Sequence, residues 1–174
     1  MFTPSGPAAD KRSHTISVLV ENRPGVLARV ASLFARRDYN INSLAVSTTE
    51  KPGISRMTVV TTGDERELQQ ITKQLNKLID VIQVMDHTDD VLLEREIALI
   101  KVHASHDARP QVMQVAQVFR AEILSISPKD ETMVLEVTGD ADRVDALLDA
   151  LSGFEVREMV RTGKIALVRG AKQT

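Results

Sequence analysis

The hydrophobic pattern of the chain switches between two periods. "HTISVLV" (14–20) is β-branched and apolar and ends in turn chemistry, which predicts a buried strand. Val26, Leu27, Val30, Leu33 and Phe34 then recur at i, i+1, i+4, i+7 and i+8, which is one face of a helix. That helix should stop near Arg37, with Asp38 just beyond its end in the left-handed conformation that aspartate tolerates. "YNINSLAVSTT" (39–49) and "ISRMTVVTT" (54–62) predict two strands around an "EKPG" turn. "GDERELQQITKQLNKL" predicts a helix with acidic residues in its first turn and a stripe of Leu68, Ile71, Leu75 and Leu78. "IDVIQVMDH" (79–87) predicts a further strand. The order so far is β-α-β-β-α-β.

After a boundary placed near Thr88 to Val91, the same order returns. "IALIKVHA" (97–104) reads as a strand, and Val112, Val115, Ala116 and Phe119 as a helix. "AEILSIS" and "TMVLEVTG" read as two strands around a turn at Pro128, Lys129 and Asp130. Val144, Leu147, Leu148 and Leu151 mark a helix, and "FEVREMVR" and "KIALVRG" are strands. A repeated β-α-β-β-α-β order implies an α+β chain of two ferredoxin-like domains in tandem, each with both helices on one sheet face. The expected division is a flexible tail at 1–13, a first domain at 14–88, a second at 89–170 and a short tail at 171–174. One such domain has a small core, so pairing with a second copy is plausible on size.

Composition narrows the chemistry. The 174 residues carry a formal net charge of −2, which gives no reason to expect nucleic acid or an anionic membrane as partner. With no cysteine, disulfides, thiolate metal sites and a cysteine nucleophile are excluded. Aromatic content of 3% leaves no base-stacking surface. No apolar run approaches the roughly 20 residues that span a bilayer, and "MFTPSGPAADKRS" lacks the apolar core of a secretion signal, so the cytoplasm is the expected location. His103 and His106 are the nearest histidine pair, too few for a zinc site; no metal is expected. Nucleophile elbows and phosphate-binding glycine motifs are absent, so no catalytic residue is assigned.

Two places remain. In "ENRPGVLARV" (21–30), Pro24 sits where a first helical residue could go, and Gly25 leaves the helix end without a shielding side chain. The free amides and dipole of such an end suit a carboxylate, and the amide of Asn22 can meet an ammonium group or a carboxylate. A plain strand-to-helix turn explains the same residues. Asn40 opens the following strand, about a helix length (roughly 20 Å) from Asn22 in the same domain. The two could share a ligand only across a second copy; alone, Asn40 reads more readily as an asparagine bonded to its own backbone.

"SVLVENRPGVLARVASLFARRDYNINSLAVSTTEKPGISRMTVVTTGD", with "LEREIALIKV" and "FRAEILSISP", resembles the small, regulatory subunits of acetolactate synthase (acetohydroxyacid synthase) over about residues 14–170. "ENRPGVLARV" alone would indicate only an ACT domain, an amino-acid-sensing module. The resemblance implies a non-catalytic subunit that activates a thiamine-diphosphate-dependent large subunit and confers feedback inhibition by valine. It implies no cofactor in this chain; thiamine diphosphate, magnesium and FAD belong to the catalytic subunit. It also implies a homodimer through ACT domains. Asn22, Gly25, Val26 and Leu27 of one copy, with Asn40 and Ile41 of the other, would hold the effector. Asp38 stands where the family usually has glycine. A free-standing ACT-domain sensor without an enzyme partner is the alternative.

Overall fold

The computed structural model describes residues 11–174, so most of the tail expected at 1–13 lies outside the described residues. The chain forms two compact units. The first takes the part up to Leu93 together with Ala166–Thr174, and the second is Glu94–Ile165.

The first unit contains β1 (Arg12–Glu21), α1 (Val26–Arg36), β2 (Ile41–Thr48), β3 (Ile54–Gly63), α2 (Glu65–Leu75) and β4 (Val81–Asp86). Its sheet order is β2-β3-β1-β4, fully antiparallel. Alternate residues of β1 (Ile16, Val18, Val20) and β3 (Met57, Val59) face the helices. They form one cluster with Val26, Val30, Leu33 and Phe34 of α1 and Leu68, Ile71 and Leu75 of α2. Both helices therefore cover the same sheet face, as the repeated order predicts. The ends of α2 are fixed by sequence: Asp64 accepts from the Glu67 amide at 2.7 Å, while the Glu67 carboxylate accepts from the Asp64 amide at 2.8 Å.

α1 ends as expected: Asp38 has φ 57, the left-handed conformation, and turns the chain toward β2. Two details differ from the pattern reading. β1 starts at Arg12, before the apolar run. Leu27 is 44% exposed, because the buried stripe is carried by its neighbour Val26.

The second unit repeats the order with β5 (Leu92–His103), α3 (Arg109–Val118), β6 (Glu122–Ser127), β7 (Thr132–Gly139), α4 (Ala141–Ala150) and β8 (Val156–Arg161). The strand order β6-β7-β5-β8 is the counterpart of the first sheet. Ala98, Ile100, Val102, Val112, Leu135 and Leu147 are among its buried core residues. The fold is thus an α+β tandem of two ferredoxin-like units. β5 begins five residues before the apolar run that marked it, because its first half alternates with charge. Glu96 points inward and is held by the Arg161 guanidinium, whose Nε donates at 3.0 Å.

Residues 171–174, expected as a tail, are tied to the first unit. Lys172 Nζ donates to both carboxylate oxygens of Asp90 at 2.7 Å, and Arg56 Nη2 donates to the Thr174 carbonyl at 2.8 Å.

Candidate functional site

The entry to α1 is built by three local constraints. Asn22 leaves β1 and its amide donates to the Gly53 carbonyl at 2.8 Å, which ties this loop to the turn between β2 and β3. Arg23 turns back, its amide donating to Glu21 O at 2.9 Å. Gly25 then takes φ 86 and ψ −9 as the N-cap residue. Only glycine adopts that conformation freely. Pro24 is therefore not the first helical residue but precedes the cap, which corrects the position expected for it.

No side chain caps α1, and no acidic residue lies in its first turn. The first regular bond is Arg29 N–H to Gly25 O at 3.1 Å, and Val26 N–H reaches Arg23 O only at 3.4 Å. The N–H groups of Gly25, Leu27 and Ala28 find no acceptor among the described residues. Three donors at the positive end of a helix dipole thus face solvent, where α2 has a full capping box. A carboxylate is the group that such an end accepts.

Beside this end stand two residues that the sequence reading missed. Arg29 Nη1 lies 3.7 Å from where a Cβ on Gly25 would be. Arg29 Nη2 lies 2.8 Å from Asp80 Oδ2, a carboxylate whose side chain is only 8% exposed. An arginine on a helix reads as solvated surface, and Asp80 was read inside a strand, so neither gave a signal.

Asn22, Gly25 and Leu27 are exposed at this entry, and Val26 is buried beneath it. Asn40 and Ile41 are elsewhere. Asn40 is exposed just before β2, its carbonyl accepting from Thr61 Oγ1 at 2.7 Å; Ile41 is half-buried against the core. The register of β3 gives the separation. Ile54 pairs with Glu21 and Thr61 with Ile41, so the two groups are seven β3 residues apart, about 23 Å. One copy brings Asn22, Gly25, Val26 and Leu27 together and does not bring Asn40 and Ile41 to them.

Among the described residues no group of three or more His, Asp or Glu could hold a metal ion, and no helix is long and apolar enough to cross a membrane.

A tandem of ferredoxin-like units with a bare, glycine-capped helix entry in the first defines the class: residues 16–83 match the AHAS small subunit-like ACT domain. Residues 95–170 match the small subunit of acetolactate synthase. The chain is 49% identical over 160 residues to the probable acetolactate synthase small subunit of Archaeoglobus fulgidus, covering 92% of this chain and 99% of that one. It is 48% identical over 161 residues to the acetolactate synthase small subunit of Mycobacterium bovis, covering 92% and 95%. The crystal structure of the small subunit from Thermotoga maritima superposes with a TM-score of 0.82 at 38% identity, covering 92% of this chain and 99% of that one. The chain belongs to the acetolactate synthase small-subunit family.

Proposed function

We propose that this chain is a non-catalytic regulatory subunit that activates the thiamine-diphosphate-dependent large subunit of acetolactate synthase and makes it sensitive to valine. Family membership supports the role. The observation that carries the sensing part is the α1 entry, where Gly25 in the left-handed conformation leaves three helix amides without acceptors.

Valine's carboxylate sits on those amides. Its ammonium group takes oxygens of Asn22 and of Asn40 from a second copy, and its isopropyl group lies near Leu27 and the second copy's Ile41. The topology supports a second copy in this role. β2 is an edge strand, paired only with β3 among the described strands. Its Thr48 end lies beside the Asn22–Gly53 contact, and its Ile41 end is at the far side of the sheet. Antiparallel pairing of β2 with its own copy across a twofold axis carries the copy's Asn40 to the end that holds Gly25. The outer face of α1 is an open surface that carries Ala28, Ser32 and Ala35 between Arg29 and Arg36.

Binding must favour one dimer arrangement, and a coupling of about 1–3 kcal/mol suffices for feedback control. The test is reconstitution. The chain mixed with an acetolactate synthase large subunit raises its activity, and valine then lowers it. A large subunit that neither binds this chain nor responds to valine in its presence would overturn the proposal.

A further inference from the structure

Resting on the effector reading above, we infer that Arg29 is a carboxylate-recognition residue of the α1 site, with Asp80 as its tether.

The guanidinium is forked between two places. One arm, Nη2, lies 2.8 Å from Asp80 Oδ2. The other, Nη1, reaches over the bare helix end, 3.7 Å from the Cβ position of Gly25. The contact to Asp80 is an ion pair by distance but not by direction, since Oδ2 accepts no hydrogen bond. Charge attraction holds the guanidinium in place while leaving its N–H bonds aimed elsewhere. Five donors in a planar fork can serve two carboxylates at once.

Asp80 explains why the cation is needed. Its side chain is 92% buried, and its carboxylate lies 2.8 Å from the same guanidinium whose other arm reaches Gly25. Without Arg29 this carboxylate and the effector's would repel, and the helix amides alone would have to overcome that. With Arg29 between them, the pair of negative charges shares one positive charge. Glu21 N–H donates to the Asp80 carbonyl at 2.9 Å, one residue before Asn22, so the tether is anchored in the same loop as the site. Arg29 would then tighten binding through the effector's carboxylate and be indifferent to its side chain.

Calorimetric titration of the full chain with L-valine and with L-valinol tests this. Valinol keeps the ammonium and isopropyl groups and lacks the carboxylate. Arg29→Gln should weaken valine about tenfold or more and barely change valinol. Arg29→Lys keeps the charge and should recover part of the loss. Because Arg29→Gln strands a buried carboxylate, Arg29→Gln/Asp80→Asn removes that charge too and should show the same loss of valine-over-valinol preference in a stable protein. Equal weakening of valine and valinol, or an unchanged valine affinity, would overturn the assignment. Absence of valine binding to the unaltered protein would instead overturn the effector reading beneath it, and is seen before any variant is made.

Discussion

The amide of Asn22 donates to the carbonyl of Gly53 at 2.8 Å, so the loop entering α1 and the turn between β2 and β3 form a single end of the sheet. That contact orients the α1 terminus, and Gly25 keeps it open. Gly25→Asp places a carboxylate where the effector's own would sit, within reach of Arg29. The left-handed φ costs the new residue about 1 kcal/mol, too little to unfold the domain. The expected outcome is a subunit that still assembles with the large subunit but no longer transmits valine. Activity measured against valine concentration checks it, and normal inhibition would show that the site is elsewhere.

The first unit has a buried polar anchor whose loss should be costly. His14 is fully buried, with Nε2 2.9 Å from the Gly63 carbonyl and Nδ1 3.0 Å from Thr88 Oγ1. It joins the start of β1 to the end of β3 and to the segment after β4. His14→Ala leaves a cavity and an unmet carbonyl, a loss of about 2–4 kcal/mol. Urea unfolding should show a lower midpoint with an unchanged slope; a shift worth less than about 1 kcal/mol would contradict the anchor.

Asp90 predicts a pH dependence. Hydrogen bonds from Lys172, and then from His87, hold its carboxyl below the ordinary aspartate value. A carboxyl lowered by folding adds stability at neutral pH, above its unfolded value. That contribution is lost as pH falls through the lowered folded value. The contact holding Lys172 should therefore persist into acid and fail only below the usual carboxylate range. Carboxyl-carbon NMR should show the Asp90 midpoint rising toward the ordinary value in Lys172→Gln. An unmoved midpoint would mean that Lys172 is not its main partner.

Most of the architecture was legible because it rests on periodicity. Val26, Val30, Leu33 and Phe34 specify α1, and β-branched runs bounded by turn residues specify β1 and β3. What escaped detection depends on tertiary contacts. The first half of β5 carries charges in place of an apolar run, and its Glu96 is buried against Arg161 of β8, a pairing that no local pattern announces. Pro24 looked like a helix start, yet the left-handed Gly25 after it delays the helix to Val26. At the site, Asn22 and Gly25 stood out by residue type. Arg29 and Asp80 did not, because an ion pair between residues far apart in sequence leaves no local trace.

The central claim is that each effector site takes Gly25 from one copy and Asn40 from the other. A mixed dimer, tagged differently on each chain and purified by both tags, tests it directly. One chain carries Gly25→Asp and the other Asn40→Ala, and each homodimer alone should bind valine poorly. In the mixed dimer, shared sites place both lesions in one pocket and leave the other intact. Calorimetry should then find one valine per dimer at the unaltered affinity. If each site were built within a single copy, both pockets would be damaged, and no valine would bind at that affinity.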